Sequence, residues 1–91
     1  MESKKKLAKP SKIKVSKKDN EDIKKLAQRI KTIRKSLGYT NADFFAYENE
    51  ITRSQYARYE TGEDIRFSSL MKLIRAFKMT PEEFFKEGFW E

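Results

Sequence analysis

No stretch of this chain alternates apolar and polar residues as a half-buried strand does. From Asn20 onward the apolar residues recur at helical spacings inside short, punctuated segments. Ile23, Leu26, Ala27, Ile30, Ile33 and Leu37 fall three, four or seven apart on one helix face. Asp19 or Asn20 is expected to cap that helix, Glu21 and Asp22 suit its positive end, and Gly38 stops it. Thr40, with Asp43 three residues on, is expected to cap a second helix carrying Phe44, Phe45 and Tyr47. Thr52 with Gln55 forms a capping box that opens a third helix over Arg53–Thr61, ended by Gly62. A fourth starts near Ser68 and turns Leu70, Leu73, Ile74 and Phe77 inward. Thr80-Pro81-Glu82-Glu83 places a cap, a proline at the first helical position and a glutamate at the third, and so opens a fifth helix with Phe84 and Phe85. The predicted fold class is all-α, with five short helices and no sheet.

Ninety-one residues make one domain with a modest core. The chain has no cysteine and no histidine, which excludes a disulfide scaffold and the usual zinc and haem ligand sets; no metal and no cofactor is expected. It also removes the two commonest catalytic side chains near neutral pH. Glu82-Glu83 and Glu63-Asp64 are adjacent pairs that cannot flank a substrate, so capping and solvation explain them better and an enzyme is rejected. No apolar run approaches a membrane span and the N-terminus lacks a signal-like apolar stretch, so a cytoplasmic protein without a membrane partner is expected.

Of 21 basic and 14 acidic residues, eight lysines and one glutamate lie in 1–18, leaving 13 of each sign for 19–91. The net charge of +7 therefore belongs to the first 18 residues. That Lys- and Ser-rich segment, with Pro10 and no apolar periodicity, is expected to be disordered. It serves either as a solubilising leader or as an arm that touches phosphates. The folded domain is expected to span 19–91.

The informative stretch is Ala42–Thr61. Two helices that cross closely need a small residue at the crossing, an apolar residue in the turn and two apolar residues inside the second helix. Ala46, then Ile51, then Tyr56 and Tyr59 meet that pattern, with Phe45 inside the first helix. The same spacing turns Arg53, Ser54, Gln55 and Arg58 outward, where a DNA groove would lie.

On these residues, Ile30–Phe85 resembles the Cro/repressor (XRE-type) family of helix-turn-helix regulators, typified by phage repressors. The matching pieces are Arg34 with Gly38, Phe45-Ala46, Ile51-Thr52-Arg53-Ser54, Tyr59-Glu60-Thr61-Gly62, Leu70–Phe77 and Met79–Phe85, in one collinear order. The resemblance implies a five-helix phage-repressor-like bundle that binds double-stranded DNA and regulates transcription. It implies that Arg53, Ser54 and Arg58 reach base edges with Thr52 and Gln55 close by, and that Arg66 grips phosphate. Gln55 is alternatively spent on its own capping box. Glu60 is read as structural, satisfying backbone or an arginine such as Arg34.

The sequence departs from the family in several places. The polar residue that often opens the second helix falls on Ala42, so Thr40 and Asn41 become the phosphate candidates. Glu50 stands for the turn glycine, so Glu50 or Asn49 must take a left-handed or adjusted conformation. Glu63 and Asp64 would repel a passing backbone. Phe44, Phe45, Tyr47, Phe67, Phe77 and Phe84 are most simply core. Phe85, Phe89 and Trp90 either fold back or form a self-complementary homodimer patch. Two further readings compete with the regulator: an antitoxin-like or coactivator-like protein-interaction module, and a non-specific nucleic-acid binder driven by the lysines.

Overall fold

The computed structural model describes residues 16–90. Among these there are five helices and no strand: α1 (Lys17–Ser36), α2 (Ala42–Glu48), α3 (Arg53–Thr61), α4 (Phe67–Ala76) and α5 (Pro81–Phe85). No described helix is long and apolar enough to cross a membrane.

Four of the five helices start where a side-chain cap accepts from one of the free N–H groups, and α4 is the exception. Ser16 caps α1: its Oγ accepts from the Asp19 amide at 3.1 Å, while the Asp19 carboxylate accepts from the Ser16 amide at 2.9 Å. This reciprocal box starts the helix ahead of the expected Asp19 or Asn20, so Lys17 and Lys18 belong to its first turn. The rest of the lysine-rich segment expected to be disordered lies outside the described residues. The cap of α2 is Asn41 rather than Thr40, with Oδ1 accepting from the Phe44 amide at 3.1 Å. The start of α4 is also earlier than expected, at Phe67, with Arg66 in the cap position and no side-chain cap bond. Thr80 and Glu83 form the expected box at α5.

The core is built from Ile30 and Ile33 of α1, Phe45 and Ala46 of α2, Tyr56 and Tyr59 of α3, Leu70, Leu73 and Ile74 of α4, then Phe77 and Phe84. Phe77 stacks on Phe84 with ring planes 8° apart and lies 5.3 Å from Phe45, joining the two ends of the domain. A five-residue helix has no stability of its own. Arg29 of α1 holds α5 in place: its guanidinium donates to the carbonyls of Phe84 (2.7 Å) and Glu83 (3.0 Å) and lies over the Phe84 ring.

Three aromatics expected in the core lie outside it. Phe44, Tyr47 and Phe67 are 51%, 78% and 75% exposed. Residues 44 and 47 share the outer face of α2 at a spacing of three, opposite Phe45, and Phe67 sits a full turn before Leu70. Leu37, expected inward, is about half exposed because it is the C-cap of α1 rather than part of its face.

Candidate nucleic-acid interface

The unit α2–turn–α3 is held by its backbone. Ala46 has no exposed surface where the two helices approach, and its carbonyl accepts from the Ile51 amide at 2.9 Å. Asn49 closes α2 with its side-chain amide on the Phe45 carbonyl (2.9 Å). Glu50 makes the left-handed turn itself, with φ of 58°. A side chain in that region is strained by about 1 kcal/mol relative to glycine. Glu50→Gly is therefore expected to raise unfolding free energy by about 0.5–1 kcal/mol, read from the urea midpoint at unchanged slope; a lower midpoint would show the turn to be unstrained.

Thr52 begins α3, its Oγ1 accepting from the Gln55 amide at 3.2 Å, and left-handed Gly62 ends it. Tyr56 and Tyr59 are buried, Tyr56 against Phe45 with ring centroids 5.2 Å apart. At about 100° per residue, their burial turns Ser54, Ala57, Arg58 and Thr61 to the outer face. Arg53 lies at the edge toward α2, and Gln55 at the opposite edge. All six are exposed.

The expected site residues fall into separate groups. Thr52, Arg53 and Ser54 line one shallow depression with Asp43 and Ala57. Arg53 Nε lies 3.4 Å from Asp43 Oδ2, and Arg58 Nε lies 3.9 Å from Glu63 Oε1. Gln55 does not close the capping box: its amide donates to the Tyr59 hydroxyl at 3.0 Å, beside Ser69 and Lys72 of α4. Thr40 and Asn41 line a separate depression with Leu37, Gly38, Tyr39 and Phe44, and Asn41 is committed to capping. Arg66 is exposed ahead of α4. The sequence reading missed Ala57 and Thr61, which the spacing from Ser54 already marks as outward. It also missed Asp43 as a neighbour of Arg53, a contact between helices that no local pattern reveals.

Behind α3 lies a buried ion pair that fixes its orientation on α1. The Arg34 guanidinium donates to both Glu60 oxygens, at 2.7 Å and 3.1 Å, and to the Tyr39 carbonyl at 2.6 Å. The Tyr56 hydroxyl donates to the same carboxylate. Burial raises the Glu60 carboxyl, but the hydrogen bonds from Arg34 and Tyr56 outweigh it and hold it below the usual range. Burial, then the bond to Glu60, pushes the Tyr56 phenol well up.

A comparison with protein families matches residues 30–84 to the helix-turn-helix family. The chain belongs to that family. The match spans α1 from Ile30 through Phe84 and so includes the Arg34–Glu60 pair and the whole α2–turn–α3 unit. Helix-turn-helix domains of this Cro/repressor (XRE) type are DNA-binding domains. No curated protein and no solved structure matches the chain.

Proposed function

We propose that this helix-turn-helix domain binds double-stranded DNA at specific sequences and regulates transcription, with α3 lying in the major groove. The observation that carries the reading is the outer face of α3, where Ser54, Ala57, Arg58 and Thr61 are exposed and Arg53 flanks them, on a helix locked to α1 from behind. Arg53 and Arg58 read guanine O6 and N7, Ala57 suits a thymine methyl, and Ser54 accepts or donates to either pair. Thr52, Thr40, Asn41 and Arg66 lie toward sugar and phosphate, and Gln55, turned to Tyr59, supports the edge of the interface. Methylation interference tests the groove assignment: methyl groups on guanine N7 should block binding. Binding insensitive to N7 methylation would overturn it.

The C-terminal aromatics divide between two roles. Phe89 is half-buried and packs on Phe84 and Phe85, so it folds back onto the domain. Trp90 is 77% exposed, its indole fixed by a 2.9 Å bond to the Phe85 carbonyl, and Phe85 is also exposed. Phe85 and Trp90, with Phe89 beneath, form the homodimer patch in this reading, which would set two α3 helices about one DNA turn (~34 Å) apart. Sedimentation of the full chain should show dimers at high DNA occupancy; monomer alone, free and bound, would remove the dimer.

A second reading, the antitoxin-like or coactivator-like module, draws support from Asp43 and Glu63, carboxylates set against the two arginines of α3. Failure to retain any duplex would favour it.

A further inference from the structure

We propose that Asp43 and Glu63 are specificity-determining residues: each stands beside the Nε side of its arginine and so makes that arginine selective for a guanine edge over a phosphate. The inference rests on the DNA-reading role assigned to α3. Arg53 and Arg58 are the only arginines of α3, and each has one carboxylate beside it. The two acids come from different places. Asp43 lies in the first turn of α2 and lines the same depression as Thr52, Arg53 and Ser54. Glu63 follows the glycine that ends α3, and its amide donates to the Arg58 carbonyl at 3.2 Å, which keeps it next to that residue.

Stability does not explain these pairs. Their side chains are 57–77% exposed, and ion pairs in that setting contribute little. On a surface that meets a polyanion, two acids also weaken attraction to every duplex. Their geometry suggests what is gained in return. In each pair the carboxylate approaches at Nε, at 3.4 Å for Arg53 and 3.9 Å for Arg58, ion-pair distances without a hydrogen bond. An acid on that side leaves the Nη1–Nη2 edge of the planar fork to meet guanine O6 and N7. On a preferred site the guanidinium keeps its carboxylate at Nε and places its fork on the base. On any other site the arginine reaches for a phosphate, and the carboxylate is left unpaired beside the DNA backbone. The cost of unpairing thus falls on the wrong complexes, on top of a repulsion that every duplex shares.

The test compares Asp43→Asn, Glu63→Gln and the double variant of the full chain with the unaltered protein. The probes are its preferred duplex, obtained by selection, and a permuted duplex of the same composition at one salt concentration. Glu82→Gln, an equal charge change on α5, is the control. Each substitution should lower the preferred-to-permuted affinity ratio about threefold, and the pair about tenfold, mainly by tightening binding to the permuted duplex. Asp43→Glu should keep the ratio. The proposal is overturned if both duplexes tighten equally, if neither changes, or if Glu82→Gln lowers the ratio as much. A chain that retains duplexes without any preferred sequence would instead remove the DNA-reading role, and this proposal with it.

Discussion

Glu60→Ala is expected to lower the unfolding free energy by about 3–5 kcal/mol, the cost of stranding a buried charge by removing its partner. Arg34 is 3% exposed and its fork spans both Glu60 oxygens, so no nearby water can replace the carboxylate without opening the α1–α3 contact. The Tyr56 hydroxyl would lose its acceptor at the same time. For a domain of this size the whole stability is on the order of 4–11 kcal/mol, so thermal unfolding should move down by on the order of 20 °C. Replacing both partners with apolar residues, Arg34→Met with Glu60→Leu, should restore part of it, the Tyr56 hydroxyl remaining without its acceptor. A loss below ~1 kcal/mol in the single variant would show that the pair does not anchor α3.

The same pair has a pH signature. Because the Glu60 carboxyl is held below its ordinary value in the folded protein, its stabilisation is complete above about pH 4.3 and is lost as the pH falls through the lower folded value. Asp19, lowered by its backbone bond to Ser16, acts with the same sign. Glu60→Ala should therefore flatten the acid limb of the stability curve without abolishing it.

Arg53→Ala with Arg58→Ala is expected to erase sequence preference while the fold persists, since both side chains are more than half exposed. Two bidentate arginine–guanine pairs contribute roughly 1–3 kcal/mol each. Affinity for the preferred duplex should then fall on the order of 100-fold or more, with a much smaller loss on a permuted one. Fluorescence anisotropy titrations at several salt concentrations separate this from charge alone. Removing residues 1–15 should instead weaken all sequences alike and reduce the salt slope. A double variant that keeps its preferred site unchanged would show that α3 does not read bases.

Much of this arrangement is legible in the chain because it rests on local chemistry. Thr80-Pro81-Glu82-Glu83 states its own helix start, Gly62 its helix end, and Ala46, Ile51, Tyr56 and Tyr59 the crossing of α2 and α3. Glu60 is readable as a structural partner of Arg34 only through the family resemblance, since 26 residues separate them. Other features escape for physical reasons. Ser16 and Asp19 form a capping box inside a run of lysines, where charge density argues against order. Thr40 and Asn41 are both good caps, and only the backbone decides for Asn41. In the seven-residue α2, three aromatics in four positions cannot all face inward, and periodicity over so short a helix does not say which will. The Asp43–Arg53 contact depends on the angle between two helices.

Selection of the purified full chain against a random duplex pool at near-physiological salt tests the assignment of α3 as a major-groove reader. The expected result is a two-fold symmetric motif with guanines in each half-site and half-site centres about one helical turn (~34 Å) apart. DNA retained with no motif at all, or no DNA retained, would contradict it.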